Sequence, residues 1–362
     1  MKPAIVVGTR PEIIKMAPVV RACQARGTPW LLLHTGQHYS FEMDGVFFQE
    51  LGLPPAHVNL EVGSGSQNYQ IAAVIQGITP VLEEHQPDVV LVEGDTNSVV
   101  AAGLAANKLR IPVGHVEAGL RSYDRTMPEE INRILVDHLG DWLFAPTDHS
   151  RDLLLAEGLP AERIHVTGNT VVDELLLQRE RARTRGSLAT FEVKERGYAV
   201  ATVHRLENVE NEDRLRGIFL GLAAVAQELK LTVLAALHPR TRGKLEALGV
   251  APAGVRLMPP LGYLDFLALH DHAALTLTDS GGLQEEACCL GVPCVTLRDN
   301  TERPESVAVG ANLLAGADPA KILEAARTMA GRARGWKNPY GDGRSGLRIV
   351  DLLLGRTPEP LP

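Results

Sequence analysis

The chain has 362 residues, 45% of them hydrophobic, enough to fill sizeable cores and closer to two domains than to one. Its 36 basic and 44 acidic residues leave a formal charge of -8 with no block of one sign, which argues against binding nucleic acid or an anionic membrane through bulk charge. The cysteines Cys23, Cys288, Cys289 and Cys294 have neither a disulfide-framework spacing nor that of paired zinc ligands, and they fit a reducing cytoplasm.

The N-terminus enters a short apolar strand, Ala4 to Gly8, and meets charge at Arg10 too soon for a signal peptide. No later apolar run approaches transmembrane length. Strands are predicted at Ala4 to Gly8, Trp30 to Thr35, Asp88 to Glu93, Pro112 to Val116, Trp142 to Ala145 and Ile164 to Thr167, with amphipathic helices in most of the gaps. This is the pattern of a doubly wound parallel-sheet domain spanning residues 1–168.

A helix near Val171 leads into the polar, arginine-rich stretch Gln178 to Gly186, and the alternation then restarts. Strands follow at Tyr198 to Val203, Leu231 to Leu237, Val255 to Met258, Leu275 to Thr278, Pro293 to Leu297 and Asn312 to Leu314, then a helix from Pro319 to about Ala330. They define a second α/β domain, residues 169–344. The tail 345–362 carries a helical pattern from Leu347 to Leu354 that is expected to pack back on the first domain.

In open parallel sheets the ligand sits beyond the carboxyl ends of the strands, so motifs just after strands carry the functional signal. Gly8-Thr9-Arg10-Pro11-Glu12 opens a helix after the first strand, and Arg10 and Lys15 can face an anion there; an ordinary strand-to-helix turn is the alternative. Asp95, in Gly94-Asp95-Thr96, and Glu117 follow neighbouring strands and are expected to converge as acid/base groups, although Asp95 can also cap the helix starting near Asn97. Pro128-Glu129-Glu130 begins a helix where Glu129 and Arg133 have the spacing of an i,i+4 pair, and this helix leaves the loop that carries Glu117.

In the second half, His204-Arg205 follows a strand, a placement suited to titration or phosphate contact where a lone histidine is otherwise usually structural, and His238-Pro239-Arg240 repeats the placement, as in a polar cleft wall. The run Asp279-Ser280-Gly281-Gly282 lets a diphosphate approach the amides of a helix N-terminus, and Glu286, one turn on, can accept hydrogen bonds from ribose hydroxyls. Arg303 either faces the same pocket or is a loop charge. Cys288 and Cys289 read as small core residues.

Taken together, these motifs, with Thr35-Gly36-Gln37-His38 and His115 to Arg121, resemble the non-hydrolysing UDP-N-acetylglucosamine 2-epimerases over almost the whole chain. The resemblance implies a GT-B-like fold of two Rossmann-like domains facing a central cleft, a homodimer, and interconversion of UDP-N-acetylglucosamine and UDP-N-acetylmannosamine for cell-surface polysaccharide synthesis. It implies no metal or redox cofactor. By the same resemblance Ser280, Gly281, Gly282, Glu286 and Arg303 belong to the UDP site, with Phe266 near the uracil. Arg10, Lys15 and His204 lie near the phosphates, and Asp95, Glu117, Glu129 and Arg133 surround the sugar, with Asp95, Glu117, Glu129 and His204 as the catalytic set.

Gln37 and His38 match a second, activating site found in some bacterial members. Gln76 stands where those members carry an arginine, and His238-Pro239-Arg240-Thr241 departs from their pattern, so activation by substrate is not expected to carry over. The rival readings are an epimerase of a related UDP-sugar such as a diacetamido uronate, a GT-B glycosyltransferase, a nucleotide-sugar sensor, and a hydrolysing epimerase.

Overall fold

The structure is a computed structural model and describes residues 1–36 and 48–361. It divides into two units, Met1–Glu174 with Tyr340–Pro362, and Leu175–Pro339. Among the described residues the first unit holds β1 (Pro3–Val7), β2 (Leu31–His34), β3 (Val58–Asn59), β4 (Val89–Glu93), β5 (Val113–Val116), β6 (Trp142–Ala145) and β7 (Ile164–Val166). They form one parallel sheet in the order β3-β2-β1-β4-β5-β6-β7. The second unit repeats the plan with β8 (Tyr198–Thr202), β9 (Thr232–Ala236), β10 (Val255–Met258), β11 (Leu275–Thr278), β12 (Cys294–Thr296) and β13 (Asn312–Leu314), ordered β10-β9-β8-β11-β12-β13.

Both sheets are Rossmann-like and doubly wound. In the first sheet the central strands are apolar without alternation, Ala-Ile-Val-Val in β1 and Val-Val-Leu-Val in β4, because helices cover both faces. Val6, Leu33, Val90 and Val92 pack with Ile78, Leu82, Val99 and Val136 from the covering helices. In the second unit Ala201, Val233, Leu277 and Val295 pack with Phe219, Leu222 and Ile322. Strand order reverses between β1 and β4 in one unit and between β8 and β11 in the other, which puts the loops after those strands at the two switch points.

The helix expected near Val171 spans Thr170–Arg183 and so runs through most of the arginine-rich stretch Gln178 to Gly186. Arg179 and Arg183 are there to meet one buried carboxylate, Asp271, with nitrogen–oxygen separations of 2.7 and 2.8 Å. The helix Ser345–Leu353 packs on the helix Arg10–Arg26, where Arg26 makes a two-pronged pair with Asp351. Among the described residues no helix is long and apolar enough to cross a membrane.

Candidate active site

At the first switch point the chain turns from β1 into the helix Arg10–Arg26, with Thr9 extended at the cap and Pro11 in the first turn. Glu12 reaches back so that its carboxylate accepts the Gly8 N–H at 2.5 Å and the Thr9 hydroxyl at 3.1 Å. One turn on, the Lys15 ammonium is buried between two carboxylates, 2.6 Å from Glu117 Oε2 and 2.9 Å from Glu93 Oε1. Asn169, just past β7, donates to the same Glu117 oxygen at 3.1 Å. Glu117 itself has φ of 68°, a left-handed backbone uncommon for a non-glycine residue and one that collects at functional sites.

These charges are far from their aqueous behaviour. Burial pushes Glu12 up to about 7, against hydrogen bonds that pull it down. It also pushes Glu93 well above the ordinary range, with Lys15 pulling it down and Glu117 pushing it further up. A closed site of this kind favours the neutral form of a carboxyl group.

Asp95 follows the turn at Gly94, whose φ of 79° is left-handed and suits glycine. Its carboxylate is gripped by Arg133, through Nε at 3.2 Å and through a second, shorter contact from the terminal nitrogen. It therefore does not cap the next helix, whose cap residue is Thr96. Arg133 also donates to Glu130 at 2.6 Å, and Glu130 in turn accepts the Ser122 and Tyr123 amides, each at 2.9 Å. Glu129 is half-buried beside this group.

Behind the two strand ends, His115 bridges Asp137 at 2.7 Å and the Gly94 carbonyl at 2.9 Å, so that both ring nitrogens face acceptors. Asp137 also takes Arg121 at 2.7 Å and the Gly119 amide at 3.3 Å. Burial alone would raise Asp137, but His115 and Arg121 outweigh it and hold the group below the ordinary carboxylate range. One buried carboxylate thereby braces both the loop that carries Asp95 and the loop that carries Glu117.

In the second unit Asp279, at the end of β11, organises the neighbouring loop after β8. It accepts the His204 amide at 3.0 Å, the Arg205 amide at 3.0 Å and the Asn208 side chain at 3.1 Å, and it lies 2.9 Å from His204 Nδ1. Burial opposes ionisation, yet His204, Asn208 and the Arg205 amide hold Asp279 below the usual range. The His204 side chain stays about half exposed, 51%, with Nδ1 fixed from behind. Ser280 then caps the helix Gly281–Leu290, and a Cβ on Gly281 would come within 3.0 Å of the Arg303 guanidinium, so glycine lets that cation sit against the first turn.

Further along this helix, Glu286 lies 3.7 Å from His270 Nδ1, and the His270 ring is 5.7 Å from that of Phe266. Glu302 is buried between Arg298, at 2.7 Å, and Arg205, at 3.3 Å.

Comparison with known proteins decides the family. The sequence profile of the UDP-N-acetylglucosamine 2-epimerases matches residues 21–354. The UDP-N-acetylglucosamine 2-epimerase of Methanocaldococcus jannaschii is 47% identical over 98% of this chain and 99% of its own length. The chain belongs to the UDP-N-acetylglucosamine 2-epimerase family. A solved structure of the M. jannaschii UDP-GlcNAc 2-epimerase, in complex with UDP-GlcNAc and UDP, superposes with a TM-score of 0.93 at 47% identity, covering 98% of this chain and 100% of that one. A UDP-2,3-diacetamido-2,3-dideoxy-D-glucuronate 2-epimerase of Pseudomonas aeruginosa is 40% identical over 98% of this chain and 99% of its own length.

The fold is thus GT-B-like and the protein is an isomerase of the epimerase class. With that, the glycosyltransferase and sensor readings lose their footing. Of the residues picked out by sequence, this epimerase brings Lys15 onto Glu117, Arg133 onto Asp95, and Arg303 onto Gly281. Glu286 and Phe266 share His270 as a neighbour. Arg10 opens its helix at the first switch point.

His238 serves as the cap of the helix Pro239–Ala247, its Nδ1 accepting the Arg240 amide at 3.3 Å. Gln76 is exposed on the helix Gln67–His85. Gln37 and His38, the residues matched to an activating site, lie outside the described residues. Sequence reading passed over Glu12, Glu93, Asp137 and Asn169. Among the described residues no group of three or more His, Cys, Asp or Glu side chains is arranged to hold a metal ion.

Proposed function

We propose that this epimerase interconverts UDP-N-acetylglucosamine and UDP-N-acetylmannosamine by inverting carbon 2. The observation that carries the reading is the pair of carboxylates, Asp95 and Glu117, delivered from the adjacent ends of β4 and β5 and braced by one His115–Asp137 pair.

The carbon 2 proton has no carbonyl beside it, so its direct removal would leave an unstabilised carbanion. An elimination avoids this. A carboxylate takes the carbon 2 proton, the carbon 1–oxygen bond breaks with its electron pair leaving on UDP, and carbons 1 and 2 become doubly bonded in a 2-acetamidoglucal. UDP oxygen then adds back to carbon 1 while a carboxylic acid delivers a proton to the other face of carbon 2.

Such a course needs a base, a protonated acid and cations for the departing diphosphate. Asp95 and Glu117 supply the acid/base pair, with Glu129 in support. His204 and Arg10 would steady the diphosphate, and the Ser280 to Gly282 turn with Glu286, Arg303 and Phe266 would hold the nucleotide. Lys15, already paired with Glu117, would act on the sugar side more than on the phosphates.

Incubation of the protein with UDP-N-acetylglucosamine in deuterated water, followed by NMR, tests the reading. Deuterium should enter carbon 2 and the manno epimer should appear without any added acceptor. Deuterium elsewhere, or none, would overturn it. Asp95→Asn and Glu117→Gln should each slow turnover by roughly 100-fold or more, the range typical of lost acid/base groups.

The 40% identity to the P. aeruginosa diacetamido-glucuronate epimerase favours a second reading, with a diacetamido uronate as substrate. The same exchange experiment run on both sugars ranks them by rate.

A further inference from the structure

The ends of β4 and β5 bring two carboxylates, Glu93 and Glu117, onto the one Lys15 ammonium, and Glu12 lies close enough to act on Glu93. Glu12 is 2% exposed, Glu93 1% and Glu117 7%, with Lys15 at 9%. Two carboxylates competing for one buried cation cannot both be well compensated, and the pair is far less costly if one of them carries a proton. The competition is unequal. Glu117 holds the shorter contact with Lys15, 2.6 Å against 2.9 Å for Glu93, and it also accepts the Asn169 amide. Donors stabilise the charged form of a carboxylate, so the ionised partner is Glu117 and the proton belongs on Glu93.

The groups facing Glu93 are Lys15 and Glu12 from the helix Arg10–Arg26 and Glu117 from the loop after β5. Burial is the largest influence on Glu93, and both neighbouring glutamates add to it in the direction of protonation.

We propose that Glu93 is a positioning residue for the epimerisation: while protonated it leaves the Lys15 ammonium to Glu117, and when it ionises it draws Lys15 away and the rate falls. The inference rests on reading Glu117 as a reacting carboxylate. Ionised Glu93 and ionised Glu117 would then share one cation, and Glu117 would lose the contact that fixes it beneath the sugar.

The rate profile against pH of the wild type and of Glu93→Gln tests this. The amide copies the neutral acid, so the variant should keep kcat within about threefold of wild type near neutral pH. It should also lack the alkaline inflection that the wild type shows. A profile superimposable on the wild type's would overturn the proposal, as would a folded variant that is slow at every pH, the behaviour expected if ionised Glu93 were needed. Infrared difference spectra in a Glu12→Gln background supply a readout independent of turnover. A protonated-carboxyl band should disappear as pH rises and should be missing once Glu93→Gln is added.

If the wild type turns over no UDP-sugar, the functional reading falls while the infrared result still decides the protonation of Glu93. If Glu93→Gln does not fold, the wild type answers alone. Equal midpoints for the rate and for the carboxyl band support the proposal, and an alkaline rate loss without loss of the band overturns it.

Discussion

A glutamate in the first turn of a helix ordinarily sits in water and favours the helix dipole, but Glu12 is buried and bonded to Gly8, and its proton is retained up to about 7 instead of 4.5. The sign of the consequence follows from which state loses its proton first. Between those two pH values the unfolded chain ionises at Glu12 while the folded chain does not, so stability falls as pH rises, by about 3 kcal/mol in all. Below 4.5 the penalty is absent, and above 7 it is complete. Urea unfolding of the first unit at about pH 5 and about pH 8 should show this decline in the wild type and a shallower one in Glu12→Gln. Equal slopes would mean that Glu12 ionises normally.

Asp137 and Asp279 work in the opposite direction, since a depressed carboxylate loses its contribution as pH falls. Sequence alone gave little access to this layer. Glu93 was only the last residue of a predicted strand and Glu12 the last of the Gly8 to Glu12 motif, because burial is not visible in sequence and the Lys15–Glu117 contact beside Glu93 spans 102 residues.

Whole elements were more legible than their junctions. β6, β10, β11 and β13 run over the residues that the sequence pattern picked out, short stretches rich in apolar and β-branched residues and bounded by turns. The two-residue β3, Val58–Asn59, had no such run and escaped notice. The stretch from Gln178 read only as polar and arginine-rich, because a buried partner such as Asp271 does not show in the sequence. At the junction of the helices Arg10–Arg26 and Ser345–Leu353, contact depends on the absence of a side chain. A Cβ on Gly346 would lie 2.7 Å from the Pro18 carbonyl carbon and oxygen, backbone atoms that cannot swing aside. Asp173 secures the same helix start by accepting the Ser345 and Gly346 amides at 3.0 and 2.8 Å. Gly346→Ala should therefore destabilise the first unit by roughly 1–3 kcal/mol, as overpacking does. A thermal melt unchanged from wild type would show that the helix can back away freely.

At the scale of the whole molecule, the two units repeat one strand order but carry different chemistry at their switch points: carboxylates in Met1–Glu174, and a glycine-bearing helix start with nearby arginines in Leu175–Pro339. That contrast was readable from strand-end motifs, because a parallel sheet sends each of them to the same edge. It leads to a separation of binding from chemistry that can be measured without substrate turnover. A ligand that binds only folded protein stabilises it by about 2.7 kcal/mol at 100 times its Kd, which for a unit of this size corresponds to roughly 5–10 °C. UDP should produce such a shift in the wild type and in Asp95→Asn, whose change lies in the other unit. Glu286→Ala and Arg303→Ala should blunt it, since both remove groups set around the helix Gly281–Leu290. If instead Asp95→Asn lost the UDP shift while Glu286→Ala kept it, nucleotide binding would belong to the carboxylate-bearing unit and the assignment of the two switch points would have to be reversed.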